Sequence, residues 1–208
     1  PLIQAYARHA SVPVINMETI VHPCQELALM MALQDRLGEV RGKTFLLTWV
    51  PHPKPLNTAV ANSAILIASK FGMNVRMLVP DEVYRLDRRY MSAAETYCAE
   101  HGRSFEVFTR PEAAYEGVEA VYAKSWGALP FYGAWEGEAV HRAKGAGFMV
   151  DDAKMALTDN AVVSHCLPMR RNVKIADSVV DSDAFLGLAE AENRLHVQKA
   201  LIERLAAQ

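Results

Sequence analysis

The chain has 208 residues, of which 22 are Lys or Arg and 24 are Asp or Glu, and its formal net charge is −2. This length suits one large domain with a buried core, and a near-zero charge without long basic runs argues against nucleic-acid binding. No stretch approaches the roughly 18 apolar residues of a membrane span, so we expect no membrane partner. The three cysteines, Cys24, Cys98 and Cys166, are isolated, which indicates neither a disulfide framework nor a zinc site and fits a reducing, cytoplasmic setting.

Short apolar, β-branched runs alternate with segments of helical period along the chain. In chain order, the pattern predicts strand 12–16, helix 23–37, strand 44–50, helix 58–71, strand 74–79, helix 89–100, strand 105–108, strand 120–123, helix 136–143, strand 161–165 and helix 190–206. This alternation predicts an α/β fold with a mostly parallel sheet flanked by helices on both faces. Ligands of such sheets gather at the carboxyl ends of the strands, so the loops there hold the candidate site residues.

Several nucleotide, metal and hydrolase motifs are absent from the sequence. It contains neither GxGxxG nor GxxxxGK[ST], the glycine turns through which backbone amides approach a pyrophosphate. HExxH and GxSxG are missing too. We therefore expect no nucleotide cofactor, no metal and no hydrolase nucleophile elbow.

The first polar string, residues 18–25, lies between a predicted strand and a helix that Pro23 begins. His22 could donate to a polarised carbonyl oxygen at the helix N-terminus, and the amide oxygen of Gln25 could accept from an NH2 group. The alternative is that His22 only caps the helix.

The second polar string, residues 164–174, directly follows an apolar strand. Leu167-Pro168 could be a cis bond in a strained turn that aims backbone carbonyls inward. Arg170, Arg171 and Lys174 would form a local anion site, or alternatively a solvated basic loop. We favour a backbone role for Cys166, because a nucleophilic thiol needs a nearby base and the adjacent His165 points to the opposite side of a continuing strand.

Two further cations stand where a substrate carboxylate could be bound. Lys124 ends a predicted strand, and Arg194 lies at the start of the last helix. Each could pair with a carboxylate. Alternatively, they are a surface cation and a helix-start residue.

Taken together, these strings resemble a known family. HPCQ (22–25) with HCLP (165–168) resembles the carbamoyltransferases related to ornithine carbamoyltransferase. The runs HCLPMRRNVK (165–174), AKSWGALPF (123–131) and EAENRLHVQKAL (190–201) are similar to the branch that acts on N-acetylornithine. The resemblance implies a carbamoyl phosphate domain ending at residue 37, an acylornithine domain over 38–188, and a helix over 189–208 that returns to the first domain.

The resemblance also implies the reaction: a neutral δ-amine attacks the carbamoyl carbon of carbamoyl phosphate, and phosphate leaves, as a step of arginine biosynthesis. It implies no cofactor, two small-molecule substrates (carbamoyl phosphate and N-acetyl-L-ornithine) and a homotrimer. The acyl group should be required, because a free α-ammonium would lie near Lys124, Arg194 and Arg170.

The residue roles that the resemblance implies fall into four groups. His22 polarises the carbamoyl carbonyl and Gln25 reads its NH2 group, in a carbamoyl phosphate pocket formed by His22, Pro23, Cys24, Gln25 and Arg170. The backbone carbonyls of Cys166 and Leu167 hold the carbamoyl NH2 and the incoming amine. The acylated amino acid is contacted by Glu18, Lys124 and Arg194, with His52 and Asn57 in the loop that closes over it. Lys174 matches a lysine carboxylated by carbon dioxide, whose pKa Arg170 and Arg171 are expected to lower.

The sequence departs from the family pattern in one respect. The S-[TM]-R-T-R-type string that holds the phosphate is absent, as is the neighbouring-subunit loop that selects the acyl group. We therefore expect the chain to be the C-terminal part of the enzyme and to be inactive alone. Two alternatives stay open: an N-succinylornithine carbamoyltransferase, and a non-catalytic amino-acid-binding domain.

Overall fold

Five parallel strands form one sheet in the computed structural model, which describes residues 2–207. The strands are β1 (Thr44–Trp49), β2 (Asn74–Leu78), β3 (Phe105–Phe108), β4 (Ala120–Lys124) and β5 (Val162–Ser164). The helices are α1 (Leu2–His9), α2 (Pro23–Leu37), α3 (Ala59–Lys70), α4 (Arg88–Glu100), α5 (Pro111–Tyr115), α6 (Ala139–Ala143), α7 (Asp152–Met155), α8 (Asp177–Val180) and α9 (Gly187–Ala206). Short 3-10 turns cover Glu82–Tyr84, Leu129–Phe131 and Trp135–Glu138. The predicted α/β class, with a parallel sheet flanked by helices, is confirmed.

The strand order is β3-β2-β1-β4-β5. The chain builds outward from β1 through β2 to β3, and then returns to place β4 on the other side of β1. The loops that leave β1 and β4 therefore diverge at the carboxyl edge of the sheet. This is a topological switch point, the place where open α/β sheets bind their ligands.

The two central strands are buried along almost their whole length. In β1 only Thr44 is partly exposed, and every residue of β4 is buried. Such continuous burial is typical of parallel strands covered by helices on both faces. Lys124, the last residue of β4, is the one charged residue of this buried strand, and it indicates that the functional site lies at the carboxyl edge of the sheet.

Helix α2 packs against α3 and α9, so the start of α9 is held beside the start of α2. Pro23 occupies the first turn of α2, where its missing N–H is not needed. The apolar residues Leu29, Met30 and Leu33 of α2 are buried in the core. This packing brings the functional ends of two helices that are distant in sequence to the same edge of the sheet.

The predicted strand 12–16 is wrong. These residues pass along the surface without strand pairing, and Val12 is 68% exposed. A β-branched run forms a strand only where a neighbouring edge supplies hydrogen bonds, and Pro13 has no N–H to donate. The segment instead links α1, which the sequence analysis did not predict, to α2.

The other differences concern helix ends and short helices. The predicted helix 136–143 is a 3-10 turn that continues into α6, and α9 begins at Gly187, three residues earlier than predicted. The short helices α5, α7 and α8 were not predicted, because four or five residues carry too little helical period to detect. No helix within residues 2–207 combines the length and apolar character needed to cross a membrane.

Candidate active site

A cavity of about 390 Å³ opens at the carboxyl ends of β1, β4 and β5, where the sheet order predicts a ligand site. Its lining residues are Glu18, His22, Gln25, His52, Leu56, Val60, Lys124, Cys166, Leu167, Pro168, Lys174 and Arg194. The structure thus brings most of the predicted site residues, from both ends of the sequence, to one place.

His22 and Gln25 enter the cavity from the N-terminus of α2. His22 occupies the N-cap position, but its side chain makes no capping hydrogen bond, so the alternative of a side-chain cap is wrong. Its backbone N–H donates to Ser63 Oγ (2.7 Å), and its buried Nδ1 has no partner among the described residues. Burial lowers the pKa of His22, which therefore presents a neutral imidazole to the cavity.

Lys124 and Arg194 add positive charge to the cavity. Lys124 is 8% exposed, and its Nζ donates to the sulfur of Cys166 at 3.4 Å, a weak acceptor. The Nε of Arg194 is buried without a hydrogen-bond partner within residues 2–207. Across this same part of the chain, neither cation forms a salt bridge. Two cations that lack a carboxylate partner form a site suited to an anionic group of a ligand.

Cys166, Leu167 and Pro168 form the turn after β5. The Leu167-Pro168 peptide bond is cis, as predicted, and Leu167 has a φ of 40°. Burial raises the pKa of the Cys166 thiol, which therefore stays protonated and is a poor nucleophile. The protonated thiol favours a backbone role for Cys166.

Lys174 is buried beside His165. Lys174 is 2% exposed, and its Nζ lies 3.0 Å from Nε2 of His165. Burial and the charge of Lys124 lower the pKa of Lys174 to about 8, and burial with nearby positive charge lowers that of His165 to about 2. The predicted solvated basic loop is therefore wrong for Lys174.

The two arginines of this loop, Arg170 and Arg171, do not line the cavity as the predicted anion site requires. Arg171 is exposed and pairs with Asp177 and Asp181, so it points away from the cavity and does not lower the pKa of Lys174. Arg170 is exposed and outside the cavity lining, although its charge contributes to the lowered pKa of Lys174.

Three other predicted site residues also lie outside the cavity lining. Pro23 is exposed on the first turn of α2, and Cys24 is fully buried in the core. Asn57 donates from Nδ2 to Glu18 Oε1 (3.2 Å) and lines a neighbouring cavity of about 400 Å³. Asn57 thus contacts the site through Glu18.

Sequence reasoning missed a buried polar cluster beneath Gln25. The carboxylate of Glu190 accepts hydrogen bonds from the Gln25 amide, from Tyr122 Oη (3.0 Å) and from Ser164 Oγ. Glu190 opens the EAENR string, but only the packing of α9 on α2 and β5 shows that it is buried. A second buried carboxylate, Glu26, lies in the same cluster.

The cavity combines a neutral imidazole, an amide, backbone carbonyls and two cations. Such a set can bind an anion and stabilise charge on a carbonyl oxygen. No cluster of three His, Cys, Asp or Glu residues suited to a metal ion occurs in the stretch from residue 2 to residue 207.

Comparison with known proteins places these features in context. Residues 55–205 match the family model described as aspartate/ornithine carbamoyltransferase, Asp/Orn binding domain. The chain is 55% identical over 209 residues to the N-acetylornithine carbamoyltransferase of Xanthomonas axonopodis pv. citri, an alignment that covers 100% of this chain and 61% of that protein. It is 36% identical over 202 residues to the ornithine carbamoyltransferase of Parasynechococcus marenigrum, covering 96% of this chain and 60% of the relative.

Solved structures give the same picture. A crystal structure of acetylornithine transcarbamylase complexed with acetylcitrulline superposes with a TM-score of 0.96 at 55% identity, covering 98% of this chain and 62% of that one. A mutant N-acetyl-L-ornithine transcarbamylase complexed with carbamyl phosphate and N-succinyl-L-norvaline also gives a TM-score of 0.96, with the same identity and coverage. The chain therefore spans about three fifths of the length of these relatives.

Proposed function

Because the chain belongs to the aspartate/ornithine carbamoyltransferase family, we propose that its full natural protein transfers the carbamoyl group of carbamoyl phosphate to the δ-amine of N-acetyl-L-ornithine. The products are N-acetyl-L-citrulline and phosphate, in arginine biosynthesis. One observation carries the proposal: a single cavity joins the neutral His22 and the Gln25 amide to the unpaired cations Lys124 and Arg194.

The transfer needs no change of oxidation state. The amine lone pair forms the new C–N bond, the bond from the carbamoyl carbon to the phosphate oxygen breaks, and the amine proton can pass to the leaving phosphate. His22 donates to the carbamoyl oxygen as negative charge develops there, which is the interaction that accelerates acyl transfer most. Gln25 accepts from the carbamoyl NH2, and the carbonyls of Cys166 and Leu167 accept from this NH2 and from the incoming amine.

The acylated amino acid lies beside the cations of the cavity. Lys124 and Arg194 bind its carboxylate, and Glu18, with His52 and Asn57, contacts the remaining polar atoms. Pro23, Cys24 and Arg170 are proposed to shape the carbamoyl phosphate end from just outside the cavity lining. The domain boundaries at residues 37 and 188, the cytoplasmic location and the homotrimer stay predictions.

We expect the full natural protein to carbamoylate N-acetyl-L-ornithine faster than L-ornithine. A free α-ammonium would lie near Lys124 and Arg194, and acylation removes this repulsion. The measurement is kcat/KM for N-acetyl-L-ornithine, N-succinyl-L-ornithine and L-ornithine with carbamoyl phosphate held constant. A higher value for L-ornithine would contradict the proposal, and a higher value for the succinyl compound would identify the other acyl acceptor.

We also propose that Lys174 is carried as a carboxylysine, with its amine attacking carbon dioxide to form an N–C bond and releasing a proton. The Leu167 N–H donates to Nδ1 of His165 (3.0 Å), so the neutral ring of His165 carries its proton on Nε2. That proton can be shared with Lys174 Nζ, 3.0 Å away, only when the amine is uncharged. An uncharged amine is the form that reacts with carbon dioxide.

In the presence of ¹³C-bicarbonate, the full natural protein should therefore show a carbamate ¹³C resonance that is lost in Lys174→Ala and kept in Lys70→Ala, an exposed-lysine control. Because the free amine fraction of Lys174 increases as the pH rises through its lowered pKa of about 8, the resonance should grow between pH 7 and pH 9. A spectrum without the resonance at pH 9 would contradict the modification.

A further inference from the structure

Glu190 is a fully buried carboxylate that lies behind Gln25 rather than in the cavity itself. It projects from the first turn of α9 and accepts hydrogen bonds from three elements: from Gln25 of α2, Tyr122 of β4 and Ser164 of β5. The Gln25 contact joins residues 165 positions apart in the sequence. Glu190 is therefore the acceptor that ties α9 to the catalytic end of α2.

The neighbouring Glu26 decides the charge state of this cluster. Both carboxylates are buried, and neither carboxylate oxygen of Glu26 has a hydrogen-bond partner in the described part of the chain. Burial raises the pKa of Glu190 to about 7 and raises the pKa of Glu26 as well, and the negative charge of Glu190 raises that of Glu26 further. Two adjacent buried anions are unfavourable, so above pH 7 Glu190, with three donors, holds the charge and Glu26 holds a proton.

An ionised carboxylate can only accept hydrogen bonds, so it determines which way the Gln25 amide faces. The NH2 group of Gln25 must point to Glu190, and its oxygen is left for the cavity, which Gln25 lines. A reversed amide would set its oxygen against the carboxylate and present a donor to the carbamoyl NH2, which is also a donor. Both contacts would be repulsive.

We propose that Glu190 is a positioning residue that fixes the Gln25 amide with its oxygen towards the carbamoyl NH2 group. The identity of that NH2 group rests on the proposed carbamoyl transfer. The orientation of the Gln25 amide rests instead on its hydrogen bond to Glu190.

A double-mutant cycle in the full natural protein tests this role. Glu190→Leu should lower kcat by roughly 10- to 100-fold, the effect of losing a hydrogen bond to a charged group, with little change in KM for N-acetyl-L-ornithine. Glu190→Gln, whose amide oxygen still accepts from Gln25, should stay within about fivefold of wild type. In a Gln25→Ala background, Glu190→Leu should have no further effect, because Glu190 acts through Gln25.

Glu119→Gln is the matched control. Glu119 accepts from Lys43 Nζ (2.8 Å) and from the Thr44 N–H (2.9 Å) at the opposite edge of the sheet, and its replacement should leave kcat unchanged. If Glu190→Leu does not fold, Glu190→Asp serves in its place, because the shorter side chain keeps the carboxylate but moves it away from Gln25. An equal loss of kcat in the wild-type and Gln25→Ala backgrounds would show a merely structural role and overturn the inference.

A second readout separates this inference from the proposed function. The ¹H shift of the Gln25 side-chain NH2 reports its hydrogen bond whether or not the protein transfers a carbamoyl group. It should move upfield in Glu190→Leu and change little in Glu119→Gln. Failure of the wild type to form N-acetyl-L-citrulline would reject the proposed function alone, whereas an unchanged NH2 shift in Glu190→Leu would reject the positioning role.

Discussion

Replacement of His22 by alanine is expected to lower kcat of the full natural protein by about 10²–10³-fold, the usual effect of removing one donor to a developing oxyanion. The imidazole is neutral and is fixed at the start of α2, with a side chain that makes no capping bond. Its proposed contact strengthens as charge develops on the carbamoyl oxygen, so the loss should appear in kcat more than in either KM. Gln25→Ala should behave similarly.

The measurement is steady-state kinetics of both variants, with unfolding temperatures recorded alongside. His101→Ala is the matched control, because His101 follows α4 at the other edge of the sheet and should leave kcat unchanged. If both His22→Ala and Gln25→Ala keep the wild-type kcat, neither residue takes part in the reaction, and His22 only occupies the start of α2.

Alanine at Lys124 or Arg194 should raise the KM for N-acetyl-L-ornithine by roughly 10- to 100-fold, and the KM for carbamoyl phosphate much less. Neither cation has a carboxylate partner within residues 2–207, so we expect both to bind a carboxylate of the ligand. Lys124 is also buried, so its removal relieves the desolvation of a charge without a carboxylate partner. We therefore expect the free energy of unfolding of Lys124→Ala to be unchanged or increased.

Kinetics at varied concentrations of each substrate separate the two KM values. Lys43→Ala, which removes a lysine paired with Glu119 far from the cavity, is the control and should change neither. Equal increases of both KM values in Lys124→Ala or Arg194→Ala would mean that these side chains shape the cavity instead of binding the acceptor substrate.

The sequence was sufficient to predict the sheet and its principal helices, because those elements carry strong local signals. The glycines that follow two of these helices, Gly72 and Gly102, have positive φ, a conformation that is typical of glycine at helix C-termini. The strand predicted at 12–16 failed because strand formation depends on a partner edge, which composition does not reveal. Helix α1 was missed because it buries none of its described side chains.

The site was predictable to the extent that its residues follow strands or begin helices. Lys124 and Leu167 could be placed by the rule that parallel strands end at the same edge, and His22 and Gln25 by their position at a helix start. The family resemblance added their roles. Glu190 could not be assigned a role, because its partners come from elements as far as 165 positions away. The burial of Lys174 and the outward pairing of Arg171 likewise depend on tertiary packing, which the spacing of a basic loop does not show.

The central claim is that one cavity binds carbamoyl phosphate and the acylated amino acid side by side, and calorimetry of the full natural protein tests it most directly. N-acetyl-L-norvaline, which lacks the δ-amine and cannot react, is titrated with and without saturating carbamoyl phosphate. We predict that carbamoyl phosphate tightens its binding, and that His22→Ala reduces this coupling while Glu119→Gln keeps it. Equal affinity under both conditions would contradict the shared cavity and indicate a module that binds the amino acid alone.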